Sequence, residues 1–201
     1  AVARAHRVTY VGELGWELYV SAEMAHHVFD TIAARAEDHP LQLCGLHALD
    51  SCRIEKAFRH FGHDISNEDH VLEAGLGFAV KETKPEGRFG PMIGCDAVKA
   101  KRNDGLSQRL MQFRLKDPDP LLYHNEAILR DGELVGYLTS GNYGHYLAGA
   151  IGLGYVKCVV AGESAQDQLN SSYSIDVAGK IIEAEVSFKP MYDPKAAQVR
   201  L

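Results

Sequence analysis

The first twenty residues place apolar and polar side chains in a pattern that is typical of a β-hairpin. Residues 8–11 and residues 16–20 are β-prone runs, and the loop between them, residues 12–15, begins and ends with glycine. Successive side chains of a strand point to opposite faces, so the second run places Glu17 and Tyr19 on the same face. The pattern therefore predicts a hairpin that carries a carboxylate beside a phenol.

Two helices are predicted after this hairpin. Ser21 is a suitable N-cap, and apolar residues then recur at helical spacing until the chain approaches Pro40. The second helix is expected to begin after Gly45 and to end near Ala57. Its inner side is expected to hold Leu46, Leu49, Arg53 and Ile54. Further along, residues 72–80 predict a helical turn followed by a strand.

The second half of the chain changes to the alternating pattern of short strands. Residues 96–103 predict a short polar helix, which precedes this change. The predicted strands cover residues 111–115, 127–130, 133–135, 151–160, 174–177 and 181–188. The dipeptide Asp131-Gly132 between two of them is a strong signal for a two-residue hairpin turn. We therefore expect an α+β fold, with a partial helix–strand domain over residues 1–103 and a small antiparallel β-barrel domain over residues 104–201.

Composition and charge exclude several classes of protein. The chain has 201 residues, of which 46% are hydrophobic and 24% charged, so it has enough apolar material for a folded core. No apolar run approaches the roughly 20 residues of a membrane span. The net charge of −6 would repel a phosphate backbone, so we expect no nucleic-acid partner and no membrane partner. The four cysteines form no C-x-x-C pair and are expected to be reduced, buried thiols of a cytoplasmic protein, or of the mitochondrial matrix in a eukaryote.

Two apparent motifs do not support a binding site. The glycines between residues 141 and 154 lack the spacing of a phosphate-binding loop, and we expect them to permit turns and bulges between barrel strands. His60 and His63 flank a glycine in a probable loop, with His70 some distance away, which is not the rigid set of three ligands that a catalytic zinc site requires. We therefore expect no metal site.

The acidic and aromatic residues of the predicted hairpin have two interpretations. The carboxylate of Glu17 could accept two parallel N–H donors of the kind that an amino-pyrimidine ring presents. The rings of Tyr10 and Tyr19 could pack on a flat heterocycle. From the residues alone, a half-polar sheet face turned to solvent is the commoner explanation.

Several motifs, in the right order, resemble those of one family. Residues 10–17 fit the pattern Y-x-G-E-x-G-x-E, and residues 45–55 are similar to G-L-x-A-R-D-x-L-R-L-E. Both patterns belong to the aminomethyltransferase family, which includes the T-protein of the glycine cleavage system. Residues 132–141 and 151–156 resemble the C-terminal barrel of the same family. The resemblance covers essentially the whole chain and implies tetrahydrofolate as the cofactor.

A narrower resemblance is to the dimethylglycine and sarcosine dehydrogenases. It is carried by residues 56–64, 115–120, 141–145 and 190–194. In that subgroup an FAD-dependent amine oxidase domain precedes the folate-binding domain. The resemblance therefore implies a methylated amine as substrate and FAD in a longer parent protein, but not in this chain.

The family's folate-contacting positions can be carried over residue by residue. The glutamate that grips the pterin falls on Glu17, and neighbouring contacts fall on Tyr10, Leu18 and Tyr19. A tyrosine of the subgroup falls on Phe78, which keeps the ring and loses the hydroxyl.

One family residue is replaced here by a residue of different chemistry. The folate-contacting arginine of the glycine-cleavage branch falls on Leu49, so a cation would have to come from elsewhere, with Arg53 as the candidate. This departure fits the dehydrogenase branch better than a glycine-cleavage T-protein.

Nothing in this chain matches the first half of the family's folate domain. That half carries the aspartate that organises proton transfer, so we expect no catalytic residue here, an incomplete folate pocket and an inactive isolated chain. The expected partners are that missing N-terminal half and the FAD domain of the same protein. The alternatives are a stand-alone aminomethyltransferase or folate-dependent demethylase, and a non-catalytic folate-binding or interaction module.

Overall fold

The computed structural model describes residues 1–81, 92–160 and 162–200. Among these residues, the first part of the chain contains a two-stranded sheet and three α-helices, and the second part is mainly β-structure. The elements of the first part are β1 (Arg4–His6), β2 (Glu17–Tyr19), α1 (Ala22–Ala33), α2 (Leu46–Glu55), a 3₁₀ turn (Gly77–Ala79) and α3 (Cys95–Asp104). Those of the second part are β3 (Gln108–Leu115), β4 (Ala127–Arg130), β5 (Glu133–Gly144), β6 (Gly149–Lys157), α4 (Ala165–Leu169), β7 (Tyr173–Val177), β8 (Lys180–Ser187) and a final 3₁₀ turn (Gln198–Arg200).

Six strands of the described residues close an antiparallel barrel in the order β3-β6-β5-β4-β7-β8. The alternation that predicted β3 directs Met111, Phe113 and Leu115 into the interior, where each is at most 1% exposed. Leu138 and Ile175 meet them from the other strands. The predicted α+β fold with a C-terminal antiparallel barrel is confirmed.

Local turn chemistry accounts for the β4–β5 connection. Asp131 and Gly132 have φ values of 52° and 89°, the left-handed conformation that a two-residue hairpin requires. The Asp131 carboxylate also accepts a hydrogen bond from the Ser172 N–H at 2.9 Å. This predicted turn is confirmed.

The glycines between residues 141 and 154 lie mostly inside strands, not in turns. A Cβ atom on Gly154 would lie 2.7 Å from the Tyr137 carbonyl oxygen, and one on Gly152 would lie 2.9 Å from the Ser140 oxygen. These glycines therefore let β5 and β6 approach each other closely. The pairing of β5 with β6 shifts its register between Leu138 and Ser140, as a bulge would, whereas the expectation of turns was wrong for these two glycines.

The predicted N-terminal hairpin has different strands from those expected. β2 pairs antiparallel with β1, so that His6 lies opposite Glu17, and residues 8–11 form no strand. The reason is a tertiary contact: the Tyr10 ring stacks on Phe58 and draws this segment against the loop after α2.

The helices lie where they were predicted, but the end of α1 and the buried side of α2 differ from the prediction. α1 starts after Ser21 as predicted but ends at Ala33, and successive turns continue the chain. Leu46 is 81% exposed, so it does not face inward as expected, whereas Arg53 and Ile54 are buried. Residues 72–80 form turns and a 3₁₀ turn, and the predicted strand is absent from them. The Val80 N–H donates to the Gly77 carbonyl oxygen within this turn and therefore does not pair with a neighbouring strand.

Helix α2 packs directly against the barrel. The Gln112 side chain of β3 donates to the Ile54 carbonyl oxygen at 2.6 Å, and the Ser51 hydroxyl donates to the carbonyl oxygen of Tyr143 in β5. The end of α3 at Asp104 coincides with the predicted domain boundary, which stays a prediction.

The cysteines are free, as expected, but they are not buried thiols. Cys44 is exposed, and Cys52, Cys95 and Cys158 are partly buried. The described part of the chain contains no helix with both the length and the apolar character needed to cross a membrane.

Candidate functional site: an exposed carboxylate and two cavities

Glu17 and Tyr19 form a hydrogen-bonded pair on strand β2. The Tyr19 hydroxyl donates to Oε2 of Glu17, and this bond, followed by the charge of the carboxylate, raises the pKa of Tyr19. The His6 ring lies beside Tyr19 with a centroid separation of 4.9 Å. The two predicted site residues do share a strand face, and both are exposed. The carboxylate is therefore oriented by a neutral phenol while it remains accessible to a ligand.

Tyr10 belongs to a different cluster. Its hydroxyl donates to the Arg59 carbonyl oxygen at 2.9 Å, and its ring lies between Phe58, at 6.0 Å, and the edge of His60, at 6.5 Å. Burial is the main cause that raises the pKa of Tyr10. These contacts anchor the segment before the Gly12–Gly15 loop to the chain that leaves α2.

Leu18 and Phe78 are the apolar members of the predicted site. Leu18 is 47% exposed and its side chain points away from the Glu17 face of β2. Phe78 lies in the 3₁₀ turn Gly77–Ala79 and is 86% exposed. Both present apolar surface to solvent.

Arg53 is buried, and it also lines a cavity that lies between α2 and β5. It is 1% exposed, and its guanidinium donates to Asp50, to Asp64, to the Ser140 hydroxyl at 2.7 Å and to the Phe58 carbonyl oxygen at 3.2 Å. These bonds use its donors within the protein. Its assignment as a folate-binding cation stays a prediction.

A cavity of about 400 Å³ lies between α2, β5 and the loop of residues 121–124. Leu49 and Asp50 of α2 line it, and Asp50 accepts hydrogen bonds from Arg53 at 2.8 Å and from the Asn142 amide at 3.2 Å. Four histidines also contribute to its wall: His47, His60, His63 and His124. The position that the family comparison marked, Leu49, therefore does face a cavity.

Sequence reasoning missed most of this cavity. Asn142 and the 121–124 loop are far from α2 in sequence. Residues 141–145 were interpreted only through their glycines and as part of a family resemblance, so no local signal placed them beside α2. The histidines were considered only as metal ligands. Among the described residues, no group of histidine, cysteine and acidic side chains has the arrangement of a metal site.

A second cavity, of about 550 Å³, lies between the loop of residues 62–69 and the outer face of β5 and β6. The Tyr155 hydroxyl is buried there without a hydrogen-bonding partner among the described residues. Its pKa is raised, chiefly by burial and then by the charge of Asp69. No sequence pattern indicated this cavity.

Two family models match the chain. The GCVT N-terminal domain matches residues 1–84, and the glycine cleavage T-protein C-terminal barrel domain matches residues 108–193. The chain belongs to the glycine cleavage T-protein family. The predicted family is thus confirmed, and the second match coincides with the barrel.

Among curated proteins, the chain resembles two kinds of relative. It is 40% identical over 194 residues to 4-methylaminobutanoate oxidase (formaldehyde-forming) of Paenarthrobacter nicotinovorans, a match that covers 96% of this chain and 22% of the relative. It is 33% identical over 200 residues to human mitochondrial sarcosine dehydrogenase, a match that covers 99% of this chain and 21% of the dehydrogenase. It is also 38% identical over 151 residues to the aminomethyltransferase of Halothermothrix orenii, a match that covers 75% of this chain and 41% of that enzyme.

The fold has a counterpart among solved structures. The crystal structure of glycine cleavage system aminomethyltransferase T from Bartonella henselae superposes with a TM-score of 0.77 at 23% identity, covering 92% of this chain and 48% of that chain. The chain thus spans about a fifth of its oxidase and dehydrogenase relatives and less than half of these aminomethyltransferases.

Proposed function

We propose that this chain is the C-terminal part of a tetrahydrofolate-dependent aminomethyl-transfer module in a larger enzyme that demethylates N-methyl amines. The family membership supports the transfer module. The names of the two relatives at 40% and 33% identity, an oxidase of 4-methylaminobutanoate and a sarcosine dehydrogenase, support an N-methyl amine as the substrate class. The observation that carries the proposal is the exposed Glu17–Tyr19 pair within the motif of residues 10–17.

The residues of the pair suit the pteridine end of a folate. The carboxylate of Glu17 offers acceptors for the paired N–H donors of the ring, and the Tyr19 hydroxyl holds one of its oxygens in place. Phe78 offers an exposed apolar ring against which a flat ring can pack, whereas Leu18 lies on the face of β2 opposite to Glu17. Tetrahydrofolate, when bound, supplies the nitrogen that accepts a one-carbon unit. Glu17 then acts by orienting the ligand and is not the main proton carrier.

The remaining parts of the activity belong to other segments of the protein. We assign the acid–base aspartate to the N-terminal half of the folate domain and FAD to a separate oxidase domain. In this proposal the present chain supplies one wall of the folate pocket together with the barrel that supports it.

The test is the substitution Glu17→Gln in the full-length gene product. Removing the charge while keeping the shape should weaken tetrahydrofolate binding by about 1.5–3 kcal/mol, the usual value of a hydrogen bond to a charged group. Titration calorimetry measures the change. Glu37→Gln, which neutralises another exposed carboxylate, serves as the matched control and should leave the affinity unchanged. If Glu17→Gln binds as tightly as the parent, Glu17 does not hold the ligand.

A further inference from the structure

The motif of residues 10–17 contains a second glutamate, Glu13, to which the proposed function gives no role. Its Oε1 atom accepts a hydrogen bond from the Tyr192 hydroxyl at 2.7 Å. The two residues are 179 positions apart in the chain. This bond is the first cause of the raised pKa of Tyr192.

Tyr192 is part of a segment, residues 190–193, that we call the C-terminal strap. The strap is fastened to the body of the protein by its backbone: Met191 N–H donates to Oε1 of Gln112 at 2.7 Å. Its side chains add an ion pair between Asp193 and Lys56 at 2.8 Å and a stacked contact between Tyr192 and Tyr146, with ring centroids 4.2 Å apart. The strap is therefore held on α2 and the barrel independently of Glu13.

The loop that carries Glu13 rests on the same lysine. Gly12 is buried with φ of 78°, and a Cβ atom there would lie 2.0 Å from Cγ of Lys56. The Lys56 ammonium also lies 5.3 Å from the centroid of the Tyr192 ring. Lys56 thus contacts both the loop and the strap, and the Glu13–Tyr192 bond joins the loop to the strap directly.

Strand β2, which follows the Gly12–Gly15 loop, is weakly supported by its own sheet. Within the described residues, β2 belongs to a two-stranded sheet whose strands are both exposed. Glu17 is the first residue of β2 and follows the Gly12–Gly15 loop closely. Its position therefore depends on how firmly that loop is held.

We propose that Tyr192 is a positioning residue, which holds Glu13 and thereby fixes the loop that presents Glu17 to the ligand. The inference rests on the proposed function of Glu17 and extends it to the C-terminal end of the chain. The loss of one hydrogen bond typically changes an equilibrium constant by up to about 10-fold. The affinity for the ligand should fall within that range when Tyr192 no longer holds Glu13.

The experiment compares Tyr192→Phe with Tyr137→Phe in the full-length gene product. Tyr192→Phe removes the hydroxyl and keeps the stacked ring, so the strap should remain folded. Tyr137 is an exposed barrel residue, and its replacement is the matched control. We expect Tyr192→Phe to weaken tetrahydrofolate binding about 10-fold in titration calorimetry and Tyr137→Phe to leave it unchanged. Glu13→Gln should also weaken binding.

Two readouts separate positioning from a general loss of stability. Hydrogen exchange should increase over residues 12–19 in Tyr192→Phe while the barrel strands keep their protection. In the Glu17→Gln background, Tyr192→Phe should cause no further loss of affinity, because it acts through Glu17. If the affinity losses of the two single variants multiply in the double variant, Tyr192 does not act through Glu17.

The outcomes also separate this inference from the proposed function. Unchanged exchange over residues 12–19 in Tyr192→Phe overturns the positioning role, and so does unchanged folate affinity where Glu17→Gln weakens it. If hydrogen exchange over residues 12–19 increases in Tyr192→Phe but Glu17→Gln leaves the folate affinity unchanged, the proposed function of Glu17 is overturned. The strap then only holds the loop in place.

Discussion

At the scale of single residues, burial decides which charged groups build the protein and which remain free for a ligand. Arg53 and Asp64 form an ion pair whose side chains are 2% and 0% exposed. Asp64 also accepts hydrogen bonds from the Thr139 hydroxyl and from the His60 backbone N–H. The pair therefore joins α2, the loop that follows it and β5, whereas Glu17 on its strand remains exposed.

Replacing Asp64 by Asn should destabilise the protein by about 3 kcal/mol, because it removes the fully buried one of the two carboxylates that compensate the Arg53 charge and leaves only Asp50. Urea unfolding of the purified protein measures this change. Glu183→Gln breaks the Lys116–Glu183 pair, whose side chains are 57% and 74% exposed, and should cost less than about 1 kcal/mol. If the two variants lose the same free energy of unfolding, the buried pair contributes no more to stability than an exposed one.

At the scale of elements, the barrel uses one turn geometry twice with different sequences. The β4–β5 turn has the favoured dipeptide Asp131-Gly132. The β7–β8 turn has Ala178-Gly179 with φ values of 53° and 88°, so an alanine adopts the left-handed conformation. The second turn was not anticipated, because alanine is not a turn residue.

Ala178→Asn should stabilise the barrel by about 1 kcal/mol, because asparagine tolerates the left-handed conformation better than alanine. The midpoint of urea unfolding should therefore rise. Ala178→Val is the control at the same position and should lower the midpoint, since a β-branched residue is strained there. A midpoint that falls in Ala178→Asn would refute this account of the turn.

At the scale of the whole molecule, residues 1–45 and the barrel are buried to very different degrees. The barrel has a closed core, whereas Gly12 is the single buried residue among residues 1–45. The apolar side chains of α1 are exposed as well, with Phe29 at 50% and Ile32 at 42%. The proposed ligand-orienting strand thus lies in the part of the protein with the least internal packing.

We expect the 201-residue chain by itself to bind tetrahydrofolate weakly and to show no detectable aminomethyl transfer. Small-molecule sites bury most of the ligand between converging walls, and here Glu17 and Phe78 lie on open surface. Turnover with tetrahydrofolate and formaldehyde or a methylated amine should be at least about 100-fold below that of the full-length gene product. Equal turnover would mean that this chain contains the complete site.

The sequence by itself determined the elements whose signals are local. Alternation with a period of two located the barrel strands, and Asp131-Gly132 located a turn, because both depend on residues that are neighbours in the chain. The shared face of Glu17 and Tyr19 followed from strand geometry in the same way.

Tertiary structure alone decided which segments meet. The pairing of β2 with β1 was not encoded in residues 8–11, which are as β-prone as a strand but pack through Tyr10 against Phe58. The Glu13–Tyr192 hydrogen bond joins residues from opposite ends of the chain. Such contacts depend on how the barrel, α2 and the strap pack together, and this packing overrides local propensity because burial and hydrogen bonding act between residues that are distant in sequence.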